Sequence, residues 1–140
     1  MILLDTNVIS ALMRAEPEIS VVAWLDQQPS TSIWITAVSV MEIQFGLETI
    51  PTGRRRQMLV KSFDQLLQLE LEGRVAPFDP EAARHAADLM ATRKRKGRPD
   101  EARDTMIAGI ALARHATLAT RNTMHFSDLS VPVVNPWLST

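Results

Sequence analysis

The sequence predicts an α/β fold in which helices cover a central, mostly parallel sheet. Three short apolar runs without alternation, residues 1–4, 33–35 and 117–119, are typical of strands buried on both faces. Segments with helical spacing of apolar residues separate these runs, as in parallel strands joined by right-handed crossovers. We expect the 140 residues to form one domain, residues 1–140, with one continuous core.

The helices are predicted from apolar spacing and from residues that favour helix starts. A first helical pattern follows Asn7, Glu16-Pro17 interrupts it, and a second helix carries residues 21–25. Thr36 is predicted to cap the next helix. The apolar stripe of that helix is Val40, Ile43, Leu47 and Ile50. Further helices are predicted at about 54–72, from Asp79-Pro80 onward and at about 103–114.

Proline and glycine positions refine this layout. Residues 75–78 are predicted as a short extended segment away from the sheet centre, because Pro77 lacks the N–H that a central strand needs. Residues 131–134 are predicted as an edge strand. In the last helix, Gly109 is expected to allow close packing against a neighbouring element.

Composition and charge exclude several classes of protein. The net charge of −1 argues against a purely electrostatic nucleic-acid binder, although it leaves room for local basic patches. The absence of cysteine excludes disulfides, thiolate nucleophiles and sulfur-ligated metals, and suits a cytoplasmic protein. No apolar stretch approaches the roughly 20 residues that cross a bilayer, so we expect no membrane partner. Strand-forming residues begin at Ile2, so we expect no cleavable leader before the fold.

Four polar residues are predicted to meet at one edge of the sheet. Asp5 ends the first strand, and Glu42 lies in the helix that follows the second strand. Asp104 begins the helix that leads to the strand at 117–119, and Asn122 follows that strand. Ligands of open α/β sheets bind outside the carboxyl ends of the strands. If the strands are parallel, these side chains share one cleft there.

A cluster of three carboxylates requires protonation or a cation. At about 5 Å and an effective dielectric near 20, each pair repels by roughly 3 kcal/mol. Mg²⁺ or Mn²⁺ suits a site whose ligands are all oxygen atoms. Such an ion activates water and stabilises charge on phosphoryl oxygens, which indicates a metal-dependent phosphodiesterase. Thr6 and Ser39 are candidate hydroxyls that hold the carboxylates or a metal-bound water.

The chain also resembles the PIN-domain ribonuclease toxins of the VapC/FitB-like type, which belong to toxin–antitoxin pairs. The resemblance spans essentially the whole chain in order and spacing. The matching segments are 1–10 (MILLDTNVIS), 21–26 (VVAWLD), 36–46 around Glu42, Gly97, 104–111 (DTMIAGIA), 118–122 (LATRN) and 134–137 (VNPW).

The resemblance implies a PIN-like α/β/α sandwich and a Mg²⁺- or Mn²⁺-dependent endoribonuclease. It further implies a homodimer and inhibition by a small cognate antitoxin whose tail covers the cleft, with operator DNA bound only through that antitoxin. The family's acidic metal ligands carry over to Asp5, Glu42 and Asp104. A fourth position, often Asp, matches Asn122, and a nearby family Asp is replaced by His125, so weaker metal affinity is expected.

Structural interpretations stand beside these functional ones. The basic runs 54–56 and 93–98 are predicted to be exposed, solvated faces, with RNA-backbone contact as the alternative. Arg121 is an auxiliary candidate for phosphate contact, and His125 is predicted to be an incidental loop residue rather than a general base or metal ligand. The tryptophans are predicted to pack in the core or a dimer interface rather than to stack on bases. They are Trp24, Trp34 and Trp137.

Two other functions remain open at this level. Asn122 and His125 are compatible with an inactive PIN domain that acts as a binding module with its antitoxin on DNA. A phosphotransfer or phosphatase domain with Asp5 as nucleophile is disfavoured, because Asn7 occupies the second position after Asp5 and no P-loop is present. The favoured hypothesis is RNA hydrolysis by a metal-activated water, with Asp5, Glu42, Asp104 and Asn122 in the site.

Overall fold

A sheet of five parallel strands forms the centre of the protein in the computed structural model, which describes residues 1–138. The spatial order of its strands is β3-β2-β1-β4-β5. The strands are β1 (Ile2–Leu4), β2 (Ile33–Thr36), β3 (Val75–Ala76), β4 (Thr117–Ala119) and β5 (Val133–Val134). The predicted α/β class is confirmed, and the two segments predicted at the periphery supply the edge strands.

Six α-helices cover this sheet in the described residues. They are α1 (Thr6–Met13), α2 (Ile19–Asp26), α3 (Ala37–Thr49), α4 (Arg54–Gln65), α5 (Pro80–Arg95) and α6 (Ala102–Arg114). Two of the predicted caps are formed. Thr36 Oγ1 accepts a hydrogen bond from Ser39 N at 3.0 Å, and Asp79 Oδ1 accepts one from Ala82 N at 2.9 Å. The sequence thus determines the start of α3 and α5 through local hydrogen bonds.

The two faces of the sheet bury separate apolar clusters. Leu4 and Ile35 face the first cluster, which side chains of α1, α2, α3 and α4 complete. Leu3 and Leu118 face the second cluster, to which α5 and α6 contribute. Alternate residues of β1 therefore point to opposite helical layers, as the uninterrupted apolar run at 1–4 predicted. The result is an α/β/α sandwich.

The chain changes direction across the sheet at β1. Leu4 pairs with Ile35 of β2 on one side and with Ala119 of β4 on the other. The chain builds β2 and β3 on the first side and then returns to build β4 and β5 on the second. The carboxyl ends of β1 and β4 consequently lie at a topological switch point, where open α/β sheets form a crevice for ligands.

Three local predictions differ from the structure. A single helix was predicted at 54–72, but the α-helix ends at Gln65 and a π-helical turn, Leu66–Glu70, follows it. This turn brings both Leu66 and Leu71 into the core. The edge strand predicted at 131–134 forms only over Val133–Val134. Arg93, predicted to be exposed with the rest of its basic run, is only 3% exposed because its guanidinium pairs with carboxylates from distant segments.

The close packing expected at Gly109 is confirmed. A Cβ atom at this position would lie 2.5 Å from the backbone oxygen of Ala82, so α6 approaches α5 more closely than a side chain permits. This contact seats α6, whose first turn carries Asp104, against the helix that carries Arg93. Within residues 1–138, no helix combines the length and apolarity that crossing a membrane requires.

Candidate active site

The four residues predicted to share a site line one cleft at the switch point. The cleft has a volume of about 400 Å³ and opens at the carboxyl ends of β1 and β4. Its lining includes the predicted residues Asp5, Thr6, Glu42, Asp104, Arg121 and Asn122. Additional lining residues are Asn7, Ser10, Ala11, Arg14 and Trp137. The parallel strands therefore bring together Asp5 and Asn122, which are 117 positions apart in the sequence.

Asp5 is the most buried acid of the cleft, with 4% of its surface exposed. Its Oδ1 accepts a hydrogen bond from Thr6 N at 2.8 Å, which caps α1, and its Oδ2 accepts one from Thr120 Oγ1 at 2.7 Å. Burial raises the pKa of Asp5 to about 6, and the charges of Asp104 and Glu42 add to this increase. The two hydrogen bonds oppose it. Asp5 thus combines the capping role with a position in the site.

The hydroxyl group of Thr6, the residue after Asp5, contacts both Glu42 and Ser39. Thr6 Oγ1 donates to Glu42 Oε1 at 2.9 Å and lies 2.8 Å from Ser39 Oγ. Ser39 is buried in the first turn of α3, whereas Glu42 lies one turn later and reaches the cleft. Glu42 Oε2 also lies 3.8 Å from Arg103 Nη1. Thr6 therefore contacts the carboxylate of Glu42 directly, whereas Ser39 contacts the hydroxyl of Thr6 and no carboxylate of the described residues.

Asp104 approaches the cleft from the first turn of α6. Glu101 caps this helix by accepting a hydrogen bond from Asp104 N at 2.9 Å. Asp104 Oδ2 lies 3.1 Å from His125 Nδ1, on a 3₁₀ turn that spans Thr123–Phe126. His125 is therefore in contact with an acid of the site, which the prediction of an incidental loop residue did not include.

The segment after β4 contributes Asn122 and Arg121 to the cleft. Asn122 N donates to Thr120 Oγ1 at 3.0 Å, and Arg121 N donates to Asn7 Oδ1 at 3.2 Å. The Arg121 guanidinium lies over Trp137, 4.9 Å from the ring centroid, which is a cation–π arrangement. Trp137 packs in part against the core and also lines the cleft, so the packing role predicted for it is incomplete.

Thr120 is the main residue of the site that was not predicted from the sequence. It is fully buried, and its hydroxyl contacts Asp5, Asn7 and Asn122. The sequence did contain a feature that could have predicted Thr120, because Thr120 directly follows β4 as Asp5 directly follows β1. The β1–β4 register, in which Leu4 pairs with Ala119, places the two next residues side by side. A polar residue at the end of a buried strand therefore indicates a site position for Thr120 as it does for Asp5.

Arg93 connects the two segments that we call the outer wall of the cleft, namely the start of α6 and the turn at Thr123–Phe126. Its Nε and Nη2 donate to both oxygens of Asp128 at 2.9 and 3.0 Å, and Nη2 also donates to the carbonyl oxygen of His125 at 2.8 Å. Its Nη1 contacts Asp100 Oδ1 at 3.2 Å and Thr105 Oγ1 at 3.1 Å. We call this group the arginine clamp. It ties the start of α6, which carries Asp104, to the turn that carries His125.

The oxygen ligands of the cleft suit a hard cation, although its carboxylates lie too far apart to hold an ion together as they stand. The carboxylates of Asp5, Glu42 and Asp104 supply only oxygen ligands, and the charges of the latter two act on the pKa of Asp5. Among residues 1–138, however, no three His, Asp or Glu side chains are grouped closely enough to hold an ion. The donor set therefore fits Mg²⁺ or Mn²⁺, and the spacing is more open than a closed metal cage.

Comparison with known proteins identifies the family. A family model described as PIN domain matches residues 2–131. The chain is 42% identical over 137 residues to the VapC ribonuclease Y4jK of Sinorhizobium fredii, with 98% of each chain covered. It is 36% identical over 137 residues to toxin FitB of Neisseria gonorrhoeae, with 98% of this chain and 99% of that protein covered.

A solved structure of FitAB bound to an IR36 DNA fragment has the same architecture. It matches with a TM-score of 0.89 at 36% identity and covers 100% of this chain and 98% of that chain. These matches confirm the resemblance drawn from the sequence. The chain belongs to the PIN-domain family and, within it, to the VapC- and FitB-type toxins.

Proposed function

We propose that this protein is a metal-dependent endoribonuclease, the toxin of a toxin–antitoxin pair, which hydrolyses RNA phosphodiester bonds. The observation that supports this proposal most strongly is the convergence of Asp5, Glu42 and Asp104 on one cleft. The name of the relative from Sinorhizobium fredii, a VapC ribonuclease, supports RNA as the substrate. Fold alone would not justify this step, because one fold supports many activities.

In this proposal Asp5, Glu42 and Asp104 hold Mg²⁺ or Mn²⁺, directly or through water. When bound, the ion supplies Lewis-acid activation of water and neutralises charge on the phosphoryl oxygens. Burial disfavours an ionised Asp5 carboxylate without a cation, so Asp5 is suited to recruit positive charge. Asn122 lines the same cleft and acts as an auxiliary ligand or hydrogen-bond donor.

The remaining residues orient the acids and the substrate. Thr6 donates to Glu42 and, with Ser39, fixes the direction in which that carboxylate points. Arg121 is exposed at the rim, and its contact with Trp137 keeps its guanidinium near the cleft, where it can pair with a substrate phosphate. The RNA 2′-hydroxyl serves recognition in this scheme, because a water supplies the attacking oxygen.

The proposal includes a homodimer and a small cognate antitoxin as partners. The solved relative is a FitAB complex on DNA, which supports a second protein as partner and DNA contact through the complex. We assign the contact with operator DNA to the antitoxin and place the activity in the cytoplasm, where RNA substrates are made. The antitoxin would inhibit the enzyme by covering the cleft.

The proposal is tested with purified protein freed of its antitoxin and short RNA substrates. We expect cleavage that requires Mg²⁺ or Mn²⁺ and stops when a chelator is added. The Asp5→Asn variant should fall to background, because it removes the buried charge that recruits the ion. Asp26→Asn is the matched control, since Asp26 is exposed on α2 and should retain full activity. Undiminished cleavage by Asp5→Asn, or in chelator, would contradict the proposal.

A second candidate function is an inactive PIN domain that acts only as a binding module. Two observations favour it, namely the open spacing of the acids and the pairing of Asp104 with His125. The same assay separates the two functions. A protein without metal-dependent cleavage, but with retained antitoxin and DNA binding, would be the binding module.

A further inference from the structure

A second depression adjoins the active-site cleft on its outer side. It has a volume of about 490 Å³, and the two cavities meet at Asp104, which lines both. Met124 and His125 form part of its wall, and Asp100 and Glu101 form part of its rim. We call this cavity the outer pocket. The proposed hydrolysis assigns no role to it.

The charges of the outer pocket disfavour a phosphate group. Its arginines already have carboxylate partners, since Arg93 pairs with Asp100 and Asp128, and Arg98 pairs with Asp128 at 3.1 Å. Arg98 also donates to the carbonyl oxygen of Met124 at 2.8 Å. Asp100, Glu101 and Asp104 add negative charge to the lining, which repels an anion. The occupant should therefore be neutral.

The same residues suit a planar heterocycle that carries N–H donors. Met124 is 79% exposed, and the side chain of His125 is 59% exposed, so both present uncovered faces beside the cavity. A thioether and an imidazole ring are favourable stacking surfaces for a nucleobase. The carboxylates at the rim can accept hydrogen bonds from base amino groups. The volume lies within the range of ligand pockets.

We propose that the outer pocket binds the nucleobase next to the scissile phosphodiester of single-stranded RNA, with Met124 as its main packing surface. This inference rests on the proposed function, because it takes the phosphodiester to lie in the neighbouring cleft. The backbone passes Asp104, and the adjacent base leaves the strand to enter the pocket. The pocket thereby contributes to affinity through base contacts rather than through charge.

The test measures RNA binding rather than cleavage, so its failure can be distinguished from failure of the proposed function. The Met124→Ala change is made in the full-length Asp5→Asn protein, and gels verify that the probes remain intact. Fluorescence anisotropy at low salt compares a short single-stranded RNA of mixed sequence with an abasic ribose-phosphate oligomer of equal length. We expect Met124→Ala to weaken binding of the RNA by roughly threefold to tenfold, the value of one methionine–aromatic contact, and to leave the abasic oligomer unchanged.

Met58→Ala on α4 is the matched control, since Met58 is 59% exposed and lies outside both cavities. It should leave the affinity for both probes unchanged. Equal effects of Met124→Ala on both probes, or no effect on either, would overturn the proposal. A loss of affinity for the cognate antitoxin with unchanged RNA binding would assign the pocket to the protein partner and overturn it as well.

Discussion

The two walls of the cleft are built on opposite electrostatic principles. The inner wall, formed by Asp5, Thr6, Ser39, Glu42 and Thr120, surrounds acids with hydroxyl groups and one backbone N–H. Its deepest acid, Asp5, accepts only neutral donors in the described structure, and burial raises its pKa to about 6. This wall holds its acids in place and leaves the charge of Asp5 without a basic partner among the described residues, whereas Glu42 has Arg103 at 3.8 Å.

The outer wall compensates its charges internally. In the arginine clamp, the hydrogen bond with Asp128 raises the pKa of Arg93, and the same contact lowers the pKa of Asp128. Both directions favour the charged pair. The clamp spans 35 positions of sequence and fixes the segments that present Asp104 and His125. Compensated charge therefore stabilises structure at the outer wall, whereas the buried carboxylate of Asp5 at the inner wall accepts hydrogen bonds only from neutral donors within residues 1–138.

The largest expected effect comes from breaking the outer wall with Arg93→Met. This change removes a buried guanidinium and leaves Asp100 and Asp128 without their main partner. We expect the free energy of unfolding to fall by roughly 4 kcal/mol, as for one-sided removal of a buried ion pair. Urea denaturation measures the change. Arg84→Met on the exposed face of α5 is the control. If Arg93→Met lowers the free energy of unfolding by no more than this control does, the stabilising role of the arginine clamp is contradicted.

A change of opposite sign is expected at the inner wall for Asp5→Asn. Because the pKa of Asp5 is raised from 3.8 to about 6 on folding, its stabilising contribution is complete below about pH 4 and is lost as the pH rises through 6. The rise from 3.8 to about 6 corresponds to roughly 3 kcal/mol at pH 7. Asp5→Asn should therefore stabilise the metal-free protein at pH 7 and abolish that pH dependence.

Urea denaturation from pH 4 to pH 8 in chelator measures this second effect. The exposed Asp26→Asn serves as the matched control and should follow the parent protein at every pH. An Asp5→Asn protein that is less stable than the parent at pH 7 would show that the inner wall compensates the charge of Asp5. The contrast between the two walls would then be lost.

The smallest expected effect is that of Thr120→Val, which keeps the shape of the side chain and removes its hydroxyl. Asp5 loses its shortest hydrogen bond, and Asn122 N loses an acceptor. We expect a loss of about 1 kcal/mol in stability at pH 7 and a further rise in the pKa of Asp5, because this bond lowers that pKa. NMR titration of the Asp5 carboxyl carbon measures the pKa.

Thr117→Val, in β4 just before Thr120, controls for the loss of a threonine hydroxyl outside the cleft. It should leave the titration of Asp5 unaltered. An unchanged pKa of Asp5 in Thr120→Val would contradict the role of the Thr120 hydroxyl as a hydrogen-bond donor to Asp5.

Most of the inner wall was predicted from the sequence, with Thr120 as the exception, whereas the arginine clamp of the outer wall was not predicted, for a physical reason. Asp5 follows β1 and Thr36 is the last residue of β2, and each caps the helix that comes next, so their positions follow from pattern and parallel geometry. The burial of Arg93 depends on Asp100 and Asp128, which flank it only after α5, α6 and the turn after β4 have packed together. Its position in a basic run therefore indicated exposure.

The fold shows the same division between local and tertiary causes. The parallel sheet and the starts of α3 and α5 were predictable, because apolar runs and caps are local signals. The end of α4 at Gln65 was not predictable, because the π-helical turn that follows it serves the burial of Leu66 and Leu71. Tertiary packing therefore overrides the helical pattern there.

The central claim is that the acids of the cleft share a divalent cation, and Mn²⁺ tests it most directly. Crystals of the antitoxin-free protein soaked in Mn²⁺ should show anomalous density in the cleft, between the carboxylates of Asp5 and Asp104 and with Glu42 in direct or water-mediated contact. Crystals of Asp5→Asn under the same conditions should lack that density. Saturating Mn²⁺ without density in the cleft of the parent protein, or with ions only at other sites, would contradict the claim.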